Sequence, residues 1–276
     1  MNFENFNKKQ IKISKLLLLT VSIGFLVSMP LLSSAMPPSQ IPDEGLLPEL
    51  QAIVPTHLQM QNKQQKDILR FTNGIANLGP GHFQIAPIFP ENPDDDVLAI
   101  QQILDADGNI VFEELVSSFA FHNAHNHWHI VDVVEFSVHA GSPDGPIVGN
   151  SEKVTFCIED VFKMGDNTNT AERIYWDCTV SLQGVQAGWA DQYHQSTEGN
   201  QIDITNAPEG TYYLVHHVNP GGNFIELDYT NNIAWTEFEL TRHTTGNSQG
   251  NAKITVTGNS PCDTPALCGE TTLNRG

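Results

Sequence analysis

Three histidines separated by single residues, His125, His127 and His129, lie in the stretch FAFHNAHNHWHIVDVVEF, with Asn126 and Trp128 between them. On an extended strand alternate side chains share a face, so the three imidazoles reach one side within about 7 Å of backbone rise. Three neutral imidazoles so placed suit a transition metal. Cu(II), Zn(II) and Fe(II) all accept such ligands, and ligand type alone does not choose among them. His122 falls out of phase with the three on a regular strand and reads as a structural neighbour rather than a ligand.

A second set is rich in oxygen. Glu226, Asp228, Asn231 and Asn232 place two carboxylates and two amides within seven residues, a donor set suited to a hard cation such as calcium. The same residues also suit an Asn-rich turn that satisfies its own backbone. Asp105, Asp107 and Asn109 resemble the start of a calcium loop, but Gly108 comes too early for an EF-hand, and a hairpin turn is the better reading.

The elements that must position these groups read as strands. Segments beginning at Asp67, Ile110, Val154, Tyr212 and Ile233 are short, β-branched or aromatic, and bounded by Gly, Asn, Asp or Pro; no long stretch has helical period. Asp107-Gly108 and the turn from Pro220 to Asn223 suit hairpin connections. The expected fold is all-β, a sandwich or a barrel, with little helix.

Lys8, Lys9, Lys12 and Lys15 precede the apolar run from Leu16 to Leu32 and then Ser33, Ser34 and Ala35, the order of a secretory signal cleaved after Ala35. Residues 36–48 read as a Pro-rich linker, 49–242 as the main strand-rich domain, and 243–276 as a polar tail. The chain carries 13 Lys and Arg against 32 Asp and Glu, a net charge of −19; losing four Lys and one Glu with the signal deepens it to −22. Such a surface repels nucleic acid and attracts metal ions or amines. No further apolar run is long enough to span a bilayer, so no membrane association is expected after cleavage. Cys157, Cys178, Cys262 and Cys268 form an even set in an exported chain. Of the three connectivities, the two sequence-local pairs are expected, each closing a short segment.

Two families place closely spaced histidines on strands. Cupins follow His-X-His with an acid, which His127, His129 and Glu135 imitate, but the spacing is longer than that pattern, and Thr211, Tyr212 and Tyr213 stand where the last cupin histidine would be. The broader resemblance is to the lysyl oxidases. HNAHNHWH is similar to their copper-binding stretch, and matching segments follow in order: Glu152 to Asp160, Gly188 to Tyr193, Gln201 to Thr205, Pro208 to Tyr213, Val218 to Pro220, and Glu226 to Asn232. The likeness covers roughly residues 48 to 240 by the order of its segments rather than by one motif.

The resemblance implies copper on His125, His127 and His129, and a lysine tyrosylquinone made by joining Lys153 to the oxidised ring of Tyr193. It implies a secreted amine oxidase that converts primary amines, or lysyl side chains of extracellular proteins, to aldehydes. Dioxygen would be consumed, with hydrogen peroxide and ammonia released. For the base that takes the α-proton, Asp191, His194 and Asp203 lie near matching segments, and Asp191 is the one named. The resemblance also adds Glu49 and the Leu50 carbonyl to the calcium set and pairs Cys157 with Cys178. Ala124 departs from the family, which carries a cysteine there, and two extra residues separate His129 from Glu135. A non-catalytic secreted metal-binding β-sandwich and a cupin-like metal oxygenase remain as alternatives.

Overall fold

The protein is described from a computed structural model, which covers residues 41–92, 94–123, 126–151, 155–165, 172–178, 182–242 and 251–270. Among them there is no helix, and all strand pairs are antiparallel, in three five-stranded sheets. The first sheet orders β1 (Leu50–Lys63), β2 (Lys66–Asn77), β11 (Trp189–Tyr193) and β9 (Phe162–Lys163), with β12 (Gln201–Asp203) also on β2. The second runs β10 (Gln183–Val185), β3 (Phe83–Ile88), β4 (Val97–Leu104), β5 (Ile110–His122) and β6 (His127–Ile130). The third runs β15 (Ala252–Asn259), β14 (Ile233–Arg242), β13 (Gly210–Val218), β7 (Val134–Ala140) and β8 (Ile147–Asn150).

Alternation explains the layers. In β14, Ala234, Thr236, Phe238 and Leu240 are buried while Ile233, Trp235, Glu237 and Glu239 face outward, the pattern of a strand covered on one side. From Phe71 to Asn77, β2 is buried continuously, as a strand covered on both faces should be. β1 packs across β13, β14 and β15, giving the sandwich-like contact between the first and third sheets. Phe71 and Phe136 meet there with ring centroids 4.9 Å apart, and Phe136 touches Phe156 at 6.1 Å and stacks on His216 at 4.7 Å.

The Asp107-Gly108 turn joins β4 to β5 as expected: the Asp105 carboxylate accepts the Asp107 and Asn109 amides, and Gly108 takes φ +84°, a conformation glycine adopts without strain. Two other expectations differ. The turn from Pro220 to Asn223 does not close a tight hairpin but opens a long loop that carries residues 226–232 before β14 begins. Of the segment from Val154 expected as a strand, the described residues from Thr155 onward make a single bridge, Phe156 to Ile130, because their backbone serves several partners instead of one ladder. Both sequence-local disulfides are present, Cys157–Cys178 and Cys262–Cys268. The stretch after residue 250, read from sequence as a tail, contributes β15 to the third sheet, and Leu267 is buried against Ile53, Ala76, Phe162 and Ala190. Before β1, the linker is docked from Leu46, whose amide donates to the Leu104 carbonyl.

Candidate active site

β5 and β6 form a hairpin in register His122 with His127, Phe121 with Trp128 and Ala120 with His129. Residues directly opposite in an antiparallel pair share a face, so His122 joins His127 and His129 there. Its ring stacks on His129 with centroids 4.8 Å apart and 15° between planes. This corrects the single-strand reading, in which His122 was out of phase: it lies on the neighbouring strand, not the same one. His127 and His129 converge, with Nε2 atoms 2.8 Å apart. Asn126 takes φ +56° and its amide donates to the His122 carbonyl, so the regular strand starts at His127. His125 lies outside the described residues, as does Lys153. No cluster of three or more His, Cys, Asp or Glu suited to a metal occurs among the described residues.

A short segment carries the histidine hairpin to the first sheet. Thr155 Oγ1 lies 3.2 Å from His129 Nδ1, so the ring is held from that side while Nε2 faces His127. Phe156 exchanges backbone hydrogen bonds with Ile130 and packs edge-on against Tyr193 at 4.7 Å. The Tyr193 hydroxyl donates to the Cys157 carbonyl. Gln183, fully buried, fixes the arrangement by donating to the Trp128 carbonyl at 2.9 Å and accepting the Ile158 amide at 3.2 Å. The disulfide adds a brace, since the Cys178 carbonyl accepts the Trp128 amide. Two residues upstream of Thr155 stands Lys153.

Asp191 and Tyr193 are two apart on β11 and so share a face. Gly74 lets β2 approach β11 there: a Cβ on it would lie 2.6 Å from the Asp191 carbonyl oxygen. Asp191 is buried, and neither carboxylate oxygen accepts a well-formed hydrogen bond among the described residues. Burial, then the nearby Glu159 charge, holds its carboxyl well above the usual range, although the Gln192 and Glu159 amides oppose this. Part of the Tyr193 ring reaches the surface, but its hydroxyl end is enclosed; burial, then the Asp191 and Glu159 charges, raises that phenol. Asn73, paired with Tyr193 across the strands, keeps its buried Nδ2 without an acceptor among the described residues. His194 is not drawn into this face; it bonds Ser196, while Asp203 pairs with Lys66 at 3.1 Å.

Beside His122 and Thr155 opens a cavity of about 440 Å³, also lined by Lys66, Glu198, Gln201 and Asp203. Glu135, the fourth ligand of the cupin-like alternative, is on β7 in the third sheet, opposite His217 and close enough to oppose the lowering of its pKa by burial.

At the oxygen-rich loop, Glu49 accepts the Asp228 amide at 2.8 Å and the Asn231 side chain. Glu226 accepts the Leu50 amide at 3.1 Å and the side chains of Asn219 and Asn232 at 2.6 and 2.7 Å. Burial, with Glu49 nearby, pushes the Glu226 carboxyl up to about 7. Asn231 Oδ1 and Asn232 Oδ1 are buried and accept nothing among the described residues. Two buried carboxylates beside two orphaned amide oxygens are the donor chemistry a hard cation takes. The Asp228 carboxylate instead caps its own exposed turn through Thr230.

The sequence model of the lysyl oxidase family matches residues 98–249, more than half of the chain. The chain belongs to the lysyl oxidase family. That span includes the histidine hairpin, Tyr193 and the 226–232 loop of this lysyl oxidase family member, and excludes Glu49 and Leu50. Among curated relatives, human lysyl oxidase homolog 1 is 32% identical over 118 residues, 42% of this chain and 19% of that protein. Lysyl oxidase homolog 2 from Bos taurus is 30% identical over 116 residues, 42% of this chain and 14% of that protein. Human lysyl oxidase homolog 3 gives 30% over 116 residues, 42% of this chain and 15% of the relative. The match thus spans less than a fifth of the length of these relatives.

His122, Thr155, Gln183 and Asn73 were not singled out as site residues from sequence. Only His122 carried a signal, its nearness to the other histidines; the rest are placed by contacts between segments far apart in the chain.

Proposed function

We propose that this chain is a secreted, copper-dependent amine oxidase acting on primary amines or on lysyl side chains of extracellular proteins. The observation that supports it best is the physical link from the histidine hairpin to Tyr193 through residues 155–158, which begins two residues after Lys153. His125, His127 and His129 would hold copper, and the converging Nε2 atoms of the latter two fit such a role. Copper and a lysine tyrosylquinone from Lys153 and Tyr193 would supply the electrophilic carbonyl and electron sink that turn an amine, dioxygen and water into aldehyde, ammonia and hydrogen peroxide.

The chain's own residues do the rest. Thr155 fixes the His129 ring orientation through Nδ1. Asp191 would be the base: enclosed, on the face of Tyr193, and without a well-formed hydrogen bond on either oxygen among the described residues, it would take the α-proton of an amine brought to that ring. Glu198 lends the neighbouring cavity an acidic group that attracts the ammonium form of the substrate, while Asp203 there is paired with Lys66. Glu49, the Leu50 carbonyl, Glu226, Asp228, Asn231 and Asn232 would hold calcium, Asp228 through Oδ2, since Thr230 bonds Oδ1. The signal at residues 1–35 would direct export.

Peroxide release from a panel of amines by copper-loaded protein, set against Lys153→Ala, tests the proposal. The parent should turn over and give a redox-cycling stain, with a cross-linked peptide containing Lys153 and Tyr193 by mass spectrometry; the variant should show none of these. Equal turnover by both sinks the quinone assignment.

A further inference from the structure

The hairpin that turns its histidines to one face turns aromatic side chains to the other. Phe121 and Trp128 are directly opposed across β5 and β6, with centroids 5.3 Å apart and planes at 68°. Together with Phe89 and Pro90 they line a cavity of about 620 Å³ whose acidic wall is Asp95 and Asp96. Pro90, Asp95 and Asp96 also line a second cavity of about 510 Å³ with Ile88, Asp94 and Leu98. Ile88 and Leu98 pair on the other face of the sheet, the one that carries His122, so the segment from Pro90 to Asp96 is a shared acidic rim and the aromatic trough is the first cavity alone. Its apolar groups are open to solvent: Phe89 is 56% exposed and Phe121 44%, where a monomer leaves large aromatics exposed at some cost.

The charge around this trough is uncompensated. No Lys or Arg stands between Arg70 and Lys153, a stretch that supplies β3, β4, β5 and β6. Asp94, Asp95 and Asp96 are exposed, the first two bond to Asn92, and none makes an ion pair among the described residues. Aromatic faces attract a cation through their quadrupole, and carboxylates at the rim add to that attraction. A second copy of this chain would bring the same acidic trough and a net charge of −19, so self-association is disfavoured.

The geometry points to a docking surface for a basic peptide segment, with Lys or Arg side chains over Phe89, Phe121 and Trp128, their cationic ends against the rim from Asp94 to Asp96 and intervening apolar side chains against Pro90 and Val97. Binding here needs neither metal nor quinone. Its role in capturing a lysine-bearing protein rests on the amine oxidase reading, and places the captured chain on the reverse side of the histidine hairpin.

The test is fluorescence anisotropy on the full secreted chain in EDTA, with a labelled peptide alternating Lys and Val and a control carrying Glu for Lys. The Lys peptide should bind, more weakly as salt is raised, and the Glu peptide should not. The combined substitutions Asp94→Asn, Asp95→Asn and Asp96→Asn should weaken binding by about tenfold, and Phe89→Ala by several-fold, about what loss of exposed charge and cation–π contacts gives. These side chains are exposed, so an unchanged melting temperature confirms that the variants fold. Equal binding of the two peptides, unchanged affinity in the aspartate variant, or a dimer that Phe89→Ala abolishes would each overturn the assignment. With copper-loaded enzyme, the aspartate variant should raise KM for the Lys peptide and leave turnover of a small primary amine unchanged. Peptide binding without any amine turnover leaves the docking surface standing and overturns only the oxidase reading.

Discussion

Asp191 is the residue whose environment most restricts its chemistry. Burial and the Glu159 charge both favour its neutral form, so a base at this position becomes active only above the ordinary carboxylate range. The expected kcat/KM profile has an ascending limb at that raised pKa. Asp191→Asn should remove the limb and lower kcat by about two orders of magnitude or more, as loss of a general base does. The same substitution removes a like charge beside Tyr193, so the phenol should titrate lower, though still above its usual range because burial is the larger cause. Stopped-flow rates against pH and ultraviolet titration of the metal-free protein read the two effects. An Asn variant with the parental pH profile excludes Asp191 as the base.

At the scale of elements, the site depends on a loop that is not a strand. Residues 155–158 are held between the second and first sheets by one bridge, by Gln183 and by the Cys157–Cys178 disulfide. Closing a segment of 21 residues stabilises the fold by about 3 kcal/mol through the unfolded state. The double change Cys157→Ser and Cys178→Ser should cost about that much and also raise hydrogen exchange at Trp128 and Phe156, whose amides lie in the braced network. Exchange that stays at the parental rate would show that the disulfide does not hold the hairpin to the loop.

Across the molecule, two buried groups couple the sheets to solution conditions. The 219–232 loop meets the start of β1 through Glu49 and Glu226, so a cation there would tie distant parts of the chain together. Calcium at a hundredfold excess over Kd should stabilise by about 2.7 kcal/mol, seen as a rise in Tm that Glu226→Gln abolishes; a parental Tm indifferent to calcium argues against the site. His216 lies in the core, stacked on Phe136, with Nδ1 on the Ile53 carbonyl. Burial lowers its pKa from 6.5 to about 4. The unfolded chain therefore takes up a proton here before the folded one does, and stability contributed by the neutral ring falls as pH drops from 6.5 to 4, by roughly 3 kcal/mol in all. Thermal melts should follow that slope, and His216→Gln should flatten it.

Local pattern made much of this legible. Period-two alternation gives the all-β fold, the Asp107-Gly108 turn gives the β4–β5 hairpin, and short cysteine spacings give both disulfides, because each depends on residues close in the chain. The histidine stretch was visible for the same reason, and so was the order of segments shared with the lysyl oxidases. Register across strands was not. His122 joins His127 and His129 only because a hairpin sets it opposite His127, and Phe156 reaches both Ile130 and Tyr193 only because three distant segments pack together. A strand's sequence fixes which residues share its own face, whereas pairing and packing decide which faces meet.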